Sequence, residues 1–289
     1  MKHSFGRKDM HLSQKHSRRT VLKTGLAAAA ALTAPKADAL LSEPEPKKPG
    51  ELKIVGAMGH DYRLETSIRP VMSHIKNARV WFARWYGPIT PELLSDTDLL
   101  ITYYAGDSFE WSPSGLADTP GKNRASLYTE ENVAAIKDNI VNRGMGWIAV
   151  HNTPWFAGDE LNTLLGADCI LHKEIQPVII CGLNQNHPIT KGIEPFIIQL
   201  DEQFGLFLRN PDDPDLTVLF KSQGVHDKRW TIQGLSAQRG KGRVVTLTPG
   251  HYEWTWYDVQ YQEIMWRAAH WAMNLPIEPF YGSFDDFIW

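Results

Sequence analysis

Four short stretches of the sequence carry side chains that could exchange protons, and each stretch follows a segment that predicts a β-strand. They are His60 with Asp61, Tyr103 and Tyr104 with Asp107, His151, and His251 with Glu253. Because the carboxyl ends of parallel strands lie at one edge of a sheet, residues far apart in sequence can meet there. Histidine, with an ordinary pKa of about 6.5, suits general acid and base catalysis at neutral pH. The pattern therefore predicts one site built from several strand ends.

The stretch that leads to His151 gives the strongest prediction. Gly144 ends a helical pattern, the apolar run 146–150 follows without alternation, and a polar turn containing Pro154 comes next. A short, continuous apolar run between helical patterns predicts a buried parallel strand. A single histidine at a strand end is more often a hydrogen-bonded structural residue. The prediction of a site therefore depends on the convergence of three histidines.

A carboxylate pair and two tryptophans lie near the same predicted edge. Asp201 and Glu202 end an apolar segment, and we expect at least one of them to orient an imidazole or to act as a base. The alternative is that the pair is the solvated end of a strand. Trp155 and Trp254 occupy predicted turns. They could stack on sugar rings or simply pack in the core, and the sequence leaves both interpretations open.

Several catalytic motifs are absent from the sequence. It contains no G-x-S-x-G motif, and neither cysteine follows a strand on a tight glycine turn, which disfavours acyl transfer by serine or thiol. The lack of G-x-G-x-x-G and of a P-loop disfavours a bound nucleotide. H-E-x-x-H is also missing, yet scattered histidines and carboxylates could hold a divalent metal such as zinc. No cofactor is required by the sequence, and the metal content stays open.

The order of the predicted elements indicates how these residues are positioned. The first half alternates strands with helical patterns, which predicts an α/β fold with a mostly parallel sheet and helices on both faces. Its strands are predicted over 52–58, 78–83, 98–104 and 146–150. The second half ends in a helix over 258–273 and has further predicted strands over 168–172, 177–182, 196–200, 216–221, 229–235 and 243–248.

The two cysteines lie in two of these later segments. If residues 168–182 form an antiparallel hairpin centred near Ile175, then Cys169 and Cys181 face each other and could form a disulfide in an exported protein. Two buried thiols are equally compatible with the sequence.

The first 39 residues predict a twin-arginine signal peptide. Arg18 and Arg19 precede an alanine-rich stretch, and Ala37-Asp38-Ala39 is a small-x-small cleavage site. The apolar stretch is shorter than the roughly 20 residues that span a bilayer, and no later segment is long enough. A chance arginine pair in a disordered tail is the alternative. We expect export to the periplasm or the medium. A proline-rich linker over 40–51 follows the predicted signal peptide.

Charge and length limit the partners and the number of domains. The leader contains eight of the 30 basic and two of the 33 acidic residues, so the remaining 250 residues would carry a net charge of about −9. Nucleic acid and anionic membranes are poor partners for such a chain. We predict one domain over 52–275. The aromatic tail, 276–289, should pack on this domain or on a second subunit of a homo-oligomer.

Several short motifs, taken in order, resemble the ThuA-like (trehalose utilisation) family over about residues 53–274. They are the glycine-rich strand ending at His151, Leu164-Leu165-Gly166, His187-Pro188-Ile189-Thr190, Asp201-Glu202, and the segment from Gly240 to His251. The resemblance implies a flavodoxin-like, class I glutamine amidotransferase-like sheet, to which the antiparallel cysteine hairpin predicted above would be added. It also implies that His151 and Asn152 occupy the turn where an amidotransferase has its nucleophilic cysteine.

The resemblance further implies a role in disaccharide or keto-sugar metabolism. We expect an isomerase, lyase or hydrolase in which His151 and His251 serve as acid and base, with Asp201 or Glu202 as a second base or orienting group. The predicted substrate-binding residues are His60, Asp61, Tyr104, Asp107, Trp155, Trp254 and Glu253. Two alternatives are a non-catalytic protein that binds carbohydrate or forms a complex, and a metal-dependent hydrolase.

Overall fold

A computed structural model describes residues 45–58, 63–84, 89–103 and 128–280. The predicted signal peptide and the first part of the linker lie outside these residues, as does the end of the aromatic tail. In the described part of the chain, no helix is long and apolar enough to cross a membrane.

The first half alternates strands and helices as predicted. It contains β1 Leu52–Met58, α1 Arg63–Ser73, β2 Ala78–Arg84, α2 Pro91–Ser95, β3 Leu99–Tyr103, α3 Glu130–Asp138 and β4 Gly146–Val150. Every residue of β3 and β4 is buried, as expected for central parallel strands covered on both faces. The Thr129 side chain caps α3 by accepting a hydrogen bond from the Asn132 N–H. After α3, a π-helical turn, Asn139–Arg143, leads to Gly144, whose φ of 101° ends the helix.

The second half consists mainly of strands. Its elements are α4 Thr153–Phe156, α5 Gly158–Leu165, β5 Ala167–His172, β6 Gln176–Cys181, β7 Phe196–Asp201, β8 Phe204–Leu208, β9 Leu216–Gly224, β10 Trp230–Arg239, β11 Gly242–Leu247, α6 Glu253–Tyr257 and α7 Val259–Ala272. All of the strands predicted from the sequence are present. The sequence did not predict β8.

The strands of the described residues form one mixed sheet of eleven strands. Its main path is β2-β1-β3-β4-β11-β10-β9-β6-β7, with β8 paired to β10 and β5 paired to β8. The first five strands of this path, β2-β1-β3-β4-β11, are parallel to one another. All the remaining pairings are antiparallel. We predicted a mostly parallel sheet with one antiparallel hairpin. This prediction is wrong, because more of the strand pairings are antiparallel than parallel. Parallel neighbours need long crossover connections, and the chain between β5 and β11 has no helix to supply them.

The predicted cysteine hairpin is also wrong. The strands β5 and β6 follow each other in sequence but do not pair. Cys169 lies opposite Leu206 of β8, whereas Cys181 lies opposite Lys221 of β9. The two cysteines form no disulfide. Because β8 takes the place of β6 beside β5, the local spacing of the cysteines did not reveal their true neighbours.

Helices cover both faces of the sheet, as predicted. On one face Ile68 of α1 packs in the same core cluster as Ile264 of α7. On the other face Leu94, Ile136 and Leu161 come from α2, α3 and α5. Strand β11 joins the two halves, since it is parallel to β4 on one side and antiparallel to β10 on the other. The segments that follow β4 and β11 therefore leave the sheet side by side.

Both ends of the described domain contact its body. The Lys47 ammonium forms an ion pair with Asp98 at 2.7 Å. At the other end, the Phe280 ring lies 5.5 Å from the Trp266 ring of α7. The described part of the aromatic tail thus packs on its own domain.

Candidate functional site

The site begins where β4 and β11 end together. Val150 is the register partner of Leu247, and the His151 N–H donates a hydrogen bond to the Leu247 carbonyl at 2.8 Å. The His151 ring places Nδ1 2.9 Å from the Thr248 carbonyl oxygen. Because a carbonyl only accepts hydrogen bonds, Nδ1 carries a proton, and the lone pair of the neutral imidazole lies on Nε2.

The backbone of His151 is strained. Its φ is 50°, in the left-handed region that costs a residue other than glycine about 1–2 kcal/mol. The imidazole is almost fully buried, stacked on the Tyr103 ring at 5.2 Å and contacted edge-on by the Phe204 ring at 4.6 Å. A sharp, strained turn between strand and helix is also how α/β hydrolases present their nucleophile. The fold therefore places His151 at a position suited to chemistry.

Three predicted residues meet at one point. The Nε2 atom of His151 lies 3.1 Å from Nδ1 of His251 and 3.6 Å from Oε2 of Glu202, and the last two atoms are 3.1 Å apart. The residues follow β4, β11 and β7 respectively. The predicted convergence of distant strand ends is confirmed for these three side chains.

Asp201 lies behind this centre. Its carboxylate is fully buried. One oxygen accepts hydrogen bonds from the N–H groups of Glu202 and His251, and the other accepts from the N–H of Gly250 and the hydroxyl of Thr255, all at 2.8–2.9 Å. Burial raises the pKa of Asp201, although these donors and His151 act in the opposite direction. These contacts join the loop after β11 to the end of β7, so they position His251; a catalytic role for Asp201 stays a prediction.

Glu202 supplies the negative charge of the centre. Burial alone would raise the pKa of its carboxyl, but hydrogen bonds from the protonated imidazoles of His151 and His251, together with their positive charges, outweigh burial and hold the pKa well below its usual range. Glu202 is therefore ionised at neutral pH, and a proton taken up by either imidazole would lie next to an anion.

Solvent reaches part of the centre. The side chain of His151 is 1% exposed, that of Glu202 12% and that of His251 21%. Trp155 and Trp254 are exposed, at 43% and 60%. The Trp155 ring lies 6.1 Å from the Phe204 ring that touches His151, so Trp155 is one aromatic ring away from the centre. Their predicted roles in substrate binding stay predictions.

Other predicted site residues cannot be placed in this geometry. His60, Asp61, Tyr104 and Asp107 lie outside the described residues. Glu253 begins α6, but its side chain is outside the described part. His187, part of one of the motifs that resemble the family, lies in a turn in which the Thr190 N–H donates a hydrogen bond to the His187 carbonyl at 3.0 Å.

The sequence analysis missed three groups that contact or support the central residues. The Thr248 carbonyl is a backbone group, which no residue type announces. Phe204 belongs to β8, the strand that was not predicted. Gly250, next to His251, has a φ of 135°. Only the structure shows that the Gly250 N–H donates a hydrogen bond to Asp201.

The three central residues also have the side-chain types and proximity that could hold a metal ion. His151, Glu202 and His251 each offer one ligand atom, and these atoms lie within 4.8 Å of one another. Within the described ranges, no other group of three or more histidines, cysteines and carboxylates meets this condition.

The sequence model of the ThuA family, described as trehalose utilisation, matches residues 88–272. The match covers more than half of the chain and includes all three central residues. Comparison with curated proteins gives no significant match in sequence.

Two solved structures have similar folds. A ThuA-like protein from Bacteroides uniformis is 16% identical with a TM-score of 0.54, over 79% of this chain and 95% of that chain. The carbohydrate deacetylase Agd3 is 9% identical with a TM-score of 0.52, over 75% of this chain and 32% of that chain. At such identities the similarity supports the α/β fold alone.

Proposed function

Because the chain belongs to the ThuA, or trehalose utilisation, family, we propose that it is an enzyme that acts on a carbohydrate at a catalytic centre formed by His151, His251 and Glu202. The observation that carries this proposal is the meeting of two imidazole nitrogens and one carboxylate oxygen at 3.1–3.6 Å. Three strand ends supply them, and the side chains of Glu202 and His251 are partly exposed to solvent. Titratable groups brought together in this way are more common at functional sites than elsewhere.

The proposed chemistry is proton transfer beside a sugar carbonyl. A keto group acidifies the neighbouring C–H, so a base with a nearby hydrogen-bond donor can drive isomerisation or elimination. His151 is suited to be the base because its Nδ1 proton is engaged by Thr248 and its lone pair faces the centre. His251, the more exposed imidazole, is suited to exchange protons with substrate. Glu202 stabilises whichever imidazole is protonated.

We assign substrate binding to the aromatic and polar residues predicted around this edge. Trp155 and Trp254 support this assignment because both expose a flat ring, and such rings stack on the C–H faces of sugars. His60, Asp61, Tyr104, Asp107 and Glu253 belong to the same proposal on the basis of the sequence. The net negative charge expected for the mature chain also favours a neutral carbohydrate over nucleic acid.

Two further proposals concern fold and location. The order β2-β1-β3-β4-β11 of the parallel strands supports a flavodoxin-like parallel half, in which strands follow the order 2-1-3-4-5. The twin-arginine sequence at residues 18–19 supports export to the periplasm or the medium. Replacing both arginines with lysine should retain the protein in the cytoplasm, which cell fractionation would detect.

Turnover of keto-disaccharides by a His151→Asn variant tests the proposed function. Asparagine tolerates the left-handed backbone, so the fold should persist. Loss of a general base should lower turnover about 100-fold or more. The matched control is His187→Gln, which changes a histidine of the turn outside the centre and should leave turnover unchanged. Mass spectrometry detects the product, and circular dichroism checks folding.

Two outcomes would contradict this proposal. One is wild-type turnover by the folded His151→Asn variant. The other is that the wild type forms no product while sugar binding persists after replacement of both His151 and His251. This result would establish a carbohydrate-binding protein instead of an enzyme.

A further inference from the structure

The three atoms at the centre lie close to the spacing of ligands around one cation, with two of the pairs slightly nearer to each other. Their separations are 3.1, 3.1 and 3.6 Å. A tetrahedral zinc site with metal–ligand bonds of about 2.0–2.2 Å has ligand–ligand distances of about 3.3–3.6 Å. We infer that His151, His251 and Glu202 bind a divalent transition-metal ion. This inference goes beyond the proposed function, because binding can be measured without any sugar. It also changes the role of His151, since an imidazole whose Nε2 lone pair binds an ion cannot act as a base while the ion is bound.

The hydrogen bonding of the centre gives a second, independent reason. The Nε2 lone pair of His151 and the Glu202 carboxylate are both acceptors, and they face each other at 3.6 Å. A neutral His251 has one proton on one ring nitrogen, so its Nδ1 can donate to only one of these acceptors. The other acceptor then has no donor among these three groups, and an additional proton, a water molecule or a cation would have to supply one. A cation satisfies all three at once.

The surrounding contacts are those that support metal ligands. The Nδ1 proton of His151 is held by the Thr248 carbonyl at 2.9 Å, and such a bond from the second nitrogen is the usual support of a metal-binding histidine. One oxygen of Asp201 accepts from the N–H groups of both Glu202 and His251. It therefore fixes two of the ligands relative to each other before any ion binds, which lowers the ordering cost of binding.

The geometry also indicates the class of site and the class of ion. Three protein ligands with exposure at Glu202 and His251 leave a fourth position toward solvent, as in catalytic rather than structural zinc sites. A bound ion there would polarise a sugar oxygen or a water molecule. Two imidazoles and one carboxylate suit zinc, cobalt or nickel, whereas calcium and magnesium prefer oxygen ligands alone.

Metal titration of the purified, untagged protein tests this inference. After removal of metal with a chelator, Zn²⁺ is titrated in competition with a chromophoric chelator, and Co²⁺ is followed by the visible absorption of its tetrahedral complexes. We expect one equivalent of each ion to bind. Glu202→Gln and His251→Gln should each weaken binding at least about 100-fold, since each removes a ligand. Mg²⁺ should not compete.

Matched controls are Glu174→Gln, an exposed carboxylate between β5 and β6, and His187→Gln. Both should bind zinc like the wild type. The inference is overturned if the wild type binds no stoichiometric zinc, or if folded Glu202→Gln and His251→Gln bind it as tightly as the controls. If the wild type binds no zinc but His151→Asn loses turnover, the proposed function is supported and the metal site is rejected. If the wild type binds zinc but turns over no sugar, the metal site is supported and the proposed function is rejected.

Discussion

The two histidines of the centre are held in place by different means. His151 follows a fully buried parallel strand, has a strained backbone, and is enclosed by the rings of Tyr103 and Phe204. His251 lies in a loop after β11, is partly exposed, and depends on the buried carboxylate of Asp201. Packing and the hydrogen bond to the Thr248 carbonyl fix the first imidazole, whereas the second is positioned through the hydrogen bond of its backbone N–H to Asp201. The site thus combines a rigid partner with one whose position can be disturbed by a single polar substitution.

The largest effect should come from Asp201→Ala, which removes the support of the His251 loop. The change leaves four hydrogen-bond donors without their acceptor in a buried place. We expect the free energy of unfolding to fall by about 4 kcal/mol, as measured by urea denaturation. Asp201→Asn, which keeps one acceptor oxygen, should cost less. An unchanged urea midpoint in Asp201→Ala would show that His251 does not depend on this carboxylate.

Gly250→Ala perturbs the same loop through its backbone. The φ of Gly250 is 135°, and an added Cβ would lie 2.8 Å from Cζ2 of Trp256. We expect a loss of about 2–3 kcal/mol in the free energy of unfolding and weaker zinc binding, because His251 must shift. Gly192→Ala is the matched control: its φ is 75°, but no atom lies within 4 Å of the added Cβ. It should cost about 1 kcal/mol and leave zinc binding intact.

A third histidine, His187, lies outside the centre and should make the stability of the fold depend on pH. Burial and the positive charge of Arg243 lower the pKa of His187 to about 4, whereas the two central histidines share Glu202. Between about pH 6.5 and 4, the unfolded chain binds a proton here and the folded chain does not, so stability falls as the pH falls. Allowing for the partial exposure of His187, the loss should be on the order of 2 kcal/mol.

Unfolding free energies of the wild type and His187→Gln, measured at pH 7 and pH 4.5, check this expectation. The difference between the two pH values should be smaller in His187→Gln by about the stated amount. An equal pH dependence in both proteins would show that His187 contributes nothing to acid sensitivity.

The smallest effect isolates the strain at His151. At a φ of 50°, glycine is unstrained and alanine is not, so His151→Gly should be more stable than His151→Ala by about 1 kcal/mol. At His251, whose φ is not positive, the order should be reversed. Thermal denaturation of the four variants measures both differences. Alanine more stable than glycine at both positions would remove the proposed distinction between the two histidines.

Local patterns were sufficient to predict the parallel half and the meeting of the two central histidines. The predicted bounds of β1, β4, β11 and α7 lie within one or two residues of the observed ones, because each is a continuous apolar run or a helical stripe with clear ends. Parallel strands also fix where their carboxyl ends lie, so His151 and His251 could be placed at one edge.

Strand pairing and side-chain direction could not be predicted in the antiparallel half. The partner of β5 is β8, a strand about 35 residues away that has no strong turn signal before it. Asp201 and Glu202 are adjacent, and successive residues of a strand point to opposite faces. The sequence therefore offered both carboxylates as candidates. Only tertiary contacts show that Glu202 faces the histidines while Asp201 faces the backbone of the His251 loop.

The place of β11 between β4 and β10 has a consequence for synthesis of the chain. About 90 residues separate β4 from the strand that pairs with its second edge. Until the ribosome has released β11, that edge presents unpaired backbone groups able to recruit strands from other molecules. Insertion of β11 closes this edge and, in the same event, carries His251 to His151. A chain that stops short of this event lacks the centre and also remains open to aggregation.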